Sequence, residues 1–198
     1  MKNPNHPAKN SVTKAEPIRT LKDIKLIKQS LSDCPRNLAL FVMGINVNLR
    51  ACDLLRLTVG QVKHLVPGDV IFSVREKKTS KERHITMNQN VYDTVQSYLA
   101  TRASARDDEP LFQSRKGGRS LGVPYVSGLV KAWCKGINLK GNFSAHTLRK
   151  TFGYIHRVHF KTGMAELVEM FNHSSERQTL AYLGLQREEI KDAYLKCI

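Results

Sequence analysis

The sequence has little of what builds metal centres, disulfide frameworks or membrane anchors. Its 198 residues include only four cysteines, which lie far apart and form no C-x-x-C pair. This spacing argues against a zinc site, and without a secretory signal we expect reduced thiols. The longest apolar run, residues 38–47, is interrupted by Gly44 and Asn46 and is much shorter than the ~20 residues that cross a bilayer. We therefore expect a cytoplasmic protein without a membrane segment.

Negative charge is also scarce. Thirty-two lysines and arginines outnumber seventeen aspartates and glutamates, which leaves a net charge of +15 at pH 7. A folded domain this basic usually has a polyanionic partner. Nucleic acid is the first candidate, because each phosphate contact releases counterions. An anionic membrane surface is the second, but no polybasic block lies beside an amphipathic or lipidated anchor.

The chain is predicted to be one domain, residues 20–198, preceded by a tail. Residues 1–19 hold three prolines and almost no large apolar side chains, so we expect them to be flexible. Thr20 and Asp23 have the spacing of a capping box and predict a helix that begins there. Pro35 predicts the start of a second helix.

The pattern changes from helical to β-rich between residues 70 and 87. Two short runs, 70–74 and 83–87, flank a polar, lysine-rich stretch, which predicts an antiparallel hairpin with 77–82 at its tip. Asn88 is typical of the N-cap of the next helix, and residues 102–120 predict a polar, mobile loop. Helical periodicity resumes at Val123 and continues almost to the end, with breaks near residues 136–143, Gly163, Asn172 and Gly184. The predicted fold class is α+β, mainly helical, with one small antiparallel sheet.

Four short motifs carry groups suited to cutting a phosphodiester without a metal. Such a reaction needs a nucleophile, fixed cations for the charge on the non-bridging oxygens and an acid for the leaving oxygen. The motifs are NLRACDLLRL at 48–57, KKTSK at 77–81, SAHTLR at 144–149, and FNHSS at 171–175 followed by Thr179 and Tyr182. In this order they resemble the motifs of the phage integrase family, the tyrosine recombinases. The resemblance covers roughly residues 20–197.

The resemblance implies a site-specific DNA recombinase or integrase with the tyrosine recombinase catalytic-domain fold. It implies that Tyr182 attacks the scissile phosphate and forms a 3′-phosphotyrosine, with no metal, ATP or other cofactor. The remaining family roles fall on five residues: Arg50 and Arg149 clamp the non-bridging oxygens, His173 donates a further hydrogen bond, His146 is the acid/base partner, and Lys78 protonates the leaving 5′ oxygen. The implied partner is double-stranded DNA, on which monomers would assemble into a tetramer.

Some choices within the motifs stay open. Tyr194 is a second tyrosine near the C-terminus, although Tyr182 has the family's spacing from His173. Lys77 and Lys81 are alternatives to Lys78 as the general acid. Asn172 stands where the family usually has glycine. Because asparagine tolerates left-handed backbone angles better than most residues, we expect the turn to survive there.

Two other functions compete with recombination. One is a strand-passing enzyme similar to type IB topoisomerases, which use a comparable set of groups. The other is a catalytically silent, integrase-like regulator that only binds DNA. The segment 186–197, with apolar residues at helical spacing, is expected to dock either on a neighbouring protomer or on its own domain.

Overall fold

The computed structural model describes residues 15–68, 71–75, 82–115, 117–183, 194 and 195. Within these ranges the chain is mainly helical with one two-stranded sheet, as predicted. The elements in chain order are α1 (Leu21–Ser30), α2 (Pro35–Asn46), α3 (Ala51–Leu54), β1 (Ile71–Arg75), β2 (Glu82–Thr86), α4 (Gln89–Ala100), α5 (Val123–Gly136), α6 (Ala145–Val158), α7 (Met164–Phe171) and α8 (Glu176–Leu183). In this part of the chain, no helix has the length and apolar character needed to cross a membrane.

The predicted helix starts are confirmed. The Thr20 hydroxyl accepts a hydrogen bond from the Asp23 amide at 3.0 Å, and the Asn88 side chain accepts one from the Val91 amide at 2.9 Å. Pro35 is the first residue of α2, where its missing N–H costs no hydrogen bond. These starts follow from local chemistry, which explains why the sequence marks them.

The hairpin also forms as predicted. Strands β1 and β2 are antiparallel, in a register that pairs Ile71 with Thr86 and Arg75 with Glu82. Of the predicted tip, residues 77–82, Glu82 is the first residue of β2 and the others lie outside the described residues.

Helix α2 is the centre of the core. Its residues 39–43 are fully buried, and it packs against α4 and α6. The Phe41 ring meets the edge of Trp133 from α5, with centroids 5.8 Å apart. Gly44 lets α2 approach α6, since a Cβ there would lie 2.6 Å from the Leu148 side chain. The core therefore holds α6, which carries two of the predicted site residues, against α2.

The packed domain begins before Thr20, and this differs from the predicted boundary. Ile18 is fully buried, and its amide donates to the Thr151 hydroxyl at 2.9 Å. The Glu16 amide donates to the Asn142 carbonyl at 2.8 Å. Residues 15–19 are thus fixed by long-range contacts, whereas residues 1–14 of the predicted tail lie outside the described part of the chain.

The segment 102–120 has no helix or named strand among its described residues, but it is not merely a polar loop. Leu111 and Phe112 are fully buried, and the Leu111 amide donates to the Leu57 carbonyl at 2.8 Å. The Arg102 guanidinium donates to the Leu111 carbonyl at 2.9 Å and forms an ion pair with Glu109 at 2.7 Å. These contacts anchor a segment that was expected to be mobile.

A second, smaller apolar cluster joins α7 and α8 to α6. It consists of Phe152, Leu167, Phe171 and Leu183, with Met170 and Tyr182 packed against it. Gly153 makes this approach possible. A Cβ on Gly153 would lie 2.6 Å from Phe171 Cζ and closer still to the Leu183 side chain.

Replacing Gly153 with alanine should destabilise the domain. The added methyl group overpacks the α6–α7–α8 cluster, which typically costs ~1–3 kcal/mol, and we expect a lower denaturation midpoint. Gly128→Ala on α5 is the matched control, because a Cβ there meets nothing within 4 Å; it should be stabilising by ~0.5–1 kcal/mol. Urea denaturation measures both, and a Gly153→Ala protein as stable as the wild type would contradict the packing described.

Candidate functional site

Arg50 lies at the start of α3, with an extended backbone at φ −64° and ψ 147°. Two residues earlier, Asn48 adopts a left-handed conformation, φ 50°, which asparagine tolerates. Its amide Nδ2 donates to the Met170 carbonyl at 2.8 Å. This bond ties the turn before α3 to the end of α7 and so sets where Arg50 lies. Asp53, one turn further on, is buried, in keeping with a structural role.

His146 and Arg149 both come from the first turns of α6. Ser144 caps this helix: its hydroxyl accepts from the His146 amide at 3.3 Å, and its own amide donates to Thr147 Oγ1 at 3.0 Å. Capping places His146 in the first turn, where it is exposed. Arg149 follows one turn later and is only 4% exposed. The helix therefore presents a solvent-facing imidazole and a buried guanidinium from adjacent turns.

The Arg149 guanidinium holds the end of α7. Its Nη2 donates to the Phe171 carbonyl at 2.8 Å, and its Cζ lies 5.1 Å from the centroid of the Phe171 ring. A carbonyl at a helix C-terminus lacks an intrahelical partner, so the cation satisfies it and interacts favourably with the helix dipole.

His173 follows a left-handed turn at Asn172, which has φ 52° and ψ 46°. This confirms the prediction that asparagine preserves the turn at a position where the family usually has glycine. The His173 amide donates to the Val168 carbonyl at 3.0 Å. Its ring Nδ1 shares a hydrogen bond of 2.9 Å with the hydroxyl of Thr179, which is fully buried. The turn and the threonine together fix the imidazole plane.

Tyr182 lies near the end of α8 and faces His173. The two ring centroids are 5.5 Å apart at an interplanar angle of 72°, and the Phe171 ring lies 5.3 Å from the tyrosine ring. The Lys150 Nζ lies 5.1 Å from the Tyr182 ring centroid. The tyrosine hydroxyl is buried and has no hydrogen-bond partner among the residues that the structure describes.

Burial raises the pKa of the Tyr182 hydroxyl above its usual value, and the charges of Arg149 and Arg50 oppose this shift. The hydroxyl therefore lies in the field of both guanidinium groups, although burial dominates. The same two cations would attract a phosphate placed beside the hydroxyl. At neutral pH the group is a phenol, so its attack on phosphorus requires a proton acceptor.

The structure brings four of the predicted residues into one cluster: Arg50, Arg149, His173 and Tyr182. His146 lies on the same helix as Arg149, one turn away. Lys78 and its alternatives Lys77 and Lys81 lie outside the described residues, so the choice of general acid stays a prediction. Tyr194 is 87% exposed.

Two contacts of the site were not identified from the sequence. Asn48 is part of the first motif, but its link to Met170 spans 122 residues and has no local signal. Lys150 follows Arg149 directly, but its place over the Tyr182 ring depends on how α8 packs on α6.

Because burial raises the pKa of Tyr182, we expect it to stay largely a phenol at about pH 10, where an ordinary tyrosine is half ionised. Ultraviolet difference titration of the wild type and Tyr182→Phe should give superimposable phenolate absorbance up to that pH. Extra phenolate in the wild type at about pH 10 or below would show that the arginines outweigh burial.

Comparison with known proteins identifies the family. Residues 19–189 match the model of the phage integrase family. The chain is 32% identical over 180 residues to the probable integrase/recombinase YoeC of Bacillus subtilis (strain 168), a match that covers 90% of this chain and 94% of that protein. It is 26% identical over 163 residues to the tyrosine recombinase XerD of Halalkalibacterium halodurans, covering 80% of this chain and 52% of that protein.

Solved structures share the fold. The XerA recombinase superposes with a TM-score of 0.74 at 20% identity, covering 90% of this chain and 64% of that one. The XerH recombinase, in a post-cleavage complex with its palindromic difH substrate, gives a TM-score of 0.73 at 18% identity, covering 88% of this chain and 51% of that one. The chain thus spans about half the length of the XerD and XerH relatives. Because the family model matches most of the sequence, and the 32%-identical relative is aligned over nearly its whole length, the chain belongs to the phage integrase family.

Proposed function

We propose that the chain is a tyrosine-type site-specific DNA recombinase in which Tyr182 is the nucleophile. One observation carries the proposal: a buried tyrosine hydroxyl, without a hydrogen-bond partner among the described residues, lies in the field of Arg50 and Arg149. A phosphate would supply the negative charge that both guanidinium groups attract. Membership of the phage integrase family makes a DNA phosphodiester the substrate to test first.

The reaction begins with attack of the Tyr182 oxygen on the scissile phosphorus. The bond from phosphorus to the 5′ oxygen breaks, and a 3′-phosphotyrosine and a free 5′-hydroxyl form. Arg50 and Arg149 stabilise the negative charge on the non-bridging oxygens, because guanidinium donors match a phosphate bidentately. Burial of Arg149 strengthens this effect, since charges interact more strongly away from water.

Proton transfer completes the step. We assign His146 as the acceptor of the phenolic proton and Lys78 as the donor to the leaving 5′ oxygen. His173, held by Thr179, donates a further hydrogen bond to the phosphate. The phosphotyrosine keeps the energy of the broken bond, so a 5′-hydroxyl from another strand can displace the tyrosine without ATP.

We propose double-stranded DNA as the partner and the cytoplasm as the place of action. The net charge of +15 supports a polyanionic partner. Related structures include XerH with its difH substrate and a lambda integrase dimer on a core site. The expected self-association into a tetramer on paired DNA sites belongs to the same proposal. Affinity for the duplex should then fall steeply with salt.

Tyr182→Phe should abolish covalent attachment to DNA and leave binding intact, because it removes only the attacking oxygen. The test uses nicked suicide duplexes drawn from the ends of the host element, with covalent complexes resolved on a denaturing gel and binding measured by mobility shift. Tyr194→Phe is the matched control and should keep the covalent band, since that side chain is 87% exposed.

Three results would point elsewhere. A band that persists in Tyr182→Phe and disappears in Tyr194→Phe would move the nucleophile to Tyr194. Binding without a band in any variant would favour the silent regulator. Relaxation of supercoils without strand exchange would favour the topoisomerase-like alternative.

Thr179→Val should slow cleavage by about two- to twelvefold, because loss of one hydrogen bond that orients His173 costs ~0.5–1.5 kcal/mol. Thr179→Ser keeps a hydroxyl and should restore most of the rate. Single-turnover cleavage of the suicide duplex measures both, at equal DNA occupancy. Equal rates for the valine and serine variants would show that the bond to His173 does not contribute to the chemistry.

A further inference from the structure

A shallow pocket of about 350 Å³ lies between α5 and the segment 137–144 that leads into α6. It is separate from the cluster of Arg50, Arg149, His173 and Tyr182. Its cationic lining consists of Lys131, Lys135 and Lys140, and Asn138 and Asn142 add amide groups. All three lysines are exposed. None of these residues has a role in the proposed reaction.

The pocket is positively charged and is lined by no carboxylate. Within the described residues, the ion pairs of the structure involve none of the three lysines. Glu16 is the carboxylate next to this segment, and it already accepts from the Asn142 amide at 3.1 Å and pairs with Arg19 at 3.5 Å. Three ammonium groups around one concave surface repel one another, so an anion bound there would be stabilising.

The pocket is close to the N-terminus of α6. Ser127, Lys131 and Lys135 recur every fourth residue of α5 and so share one face, and the Ser127 hydroxyl accepts from the Ala145 amide at 3.1 Å. Ala145 directly precedes His146. Phe143 lines the pocket and is three residues from His146, a chain distance of at most ~10 Å. One face of α5 therefore runs from the start of α6 to the lysines.

We propose that Lys131, Lys135 and Lys140 form a second site for phosphates of the DNA backbone, apart from the phosphate that is cut. The inference rests on the proposed function, which places the scissile phosphate beside Tyr182. Lysines bind phosphates as point charges, so the site anchors the duplex without reading its sequence.

The test is the salt dependence of duplex binding. Each phosphate contact contributes about −0.9 to the slope of log K against log salt. Lys131→Gln/Lys135→Gln should therefore reduce the magnitude of the slope by about 1.8, equally on an element-end duplex and an unrelated one. Lys22→Gln/Lys25→Gln is the matched control: it removes two exposed lysines from one face of α1 and should leave the slope near the wild-type value. Lys131→Arg/Lys135→Arg keeps both charges and should retain the full slope.

An unchanged slope for Lys131→Gln/Lys135→Gln, or an equal fall in the α1 control, would overturn the site. The site would also be overturned if Lys131→Gln/Lys135→Gln lost binding to anionic phospholipid vesicles while its slope on the duplex stayed at the wild-type value. Covalent trapping by the wild type is scored separately. A Tyr182-dependent band with an unaltered slope rejects the phosphate site alone, whereas a reduced slope without any band supports the site and rejects the proposed chemistry.

Discussion

The interaction on which the site depends is the one between the Arg149 guanidinium and the end of α7. A buried charge is costly unless it is hydrogen-bonded, and Arg149 donates to the Phe171 carbonyl at 2.8 Å while lying over the Phe171 ring. The left-handed turn at Asn172 and the imidazole of His173 come immediately after Phe171 in the chain. Tyr182 then packs against both aromatic rings. Arg149 thus joins α6 to the end of α7. Through Phe171 and His173, this contact extends to Tyr182 on α8.

Backbone features at the helix junctions make this arrangement possible. Asn48 and Asn172 adopt left-handed conformations, which turn the chain sharply before Arg50 and before His173. Gly153 has no side chain where Phe171 and Leu183 approach α6. The close packing of α7 and α8 on α6 brings the Tyr182 hydroxyl into the field of Arg50 and Arg149. Burial raises the pKa of this hydroxyl. Burial thus opposes loss of the phenolic proton, which a base must accept when the hydroxyl attacks.

The sequence predicted the features that depend on neighbouring residues or on a recognisable motif. Capping at Thr20 and Asn88, the proline start of α2 and the hairpin are local, and the structure has them. The family resemblance placed Arg50 and Tyr182 in one site although they are far apart in the sequence. Composition and periodicity alone do not group such residues. Burial of Ile18, Leu111 and Phe112 was not predicted. Their neighbours in the sequence are mainly polar, and only tertiary contacts bury them. The position of Lys150 over Tyr182 depends on helix packing for the same reason.

The most direct measurement of the central claim is a structure of the protein on nicked duplex DNA with vanadate bound at the nick. Vanadate adopts the five-coordinate geometry of phosphoryl transfer and would mark the reacting position. The account predicts vanadium bonded to the Tyr182 oxygen, with Arg50 and Arg149 each donating to its oxygens at ~2.7–3.2 Å. Vanadium bonded to another residue, or either guanidinium out of hydrogen-bonding range, would contradict it.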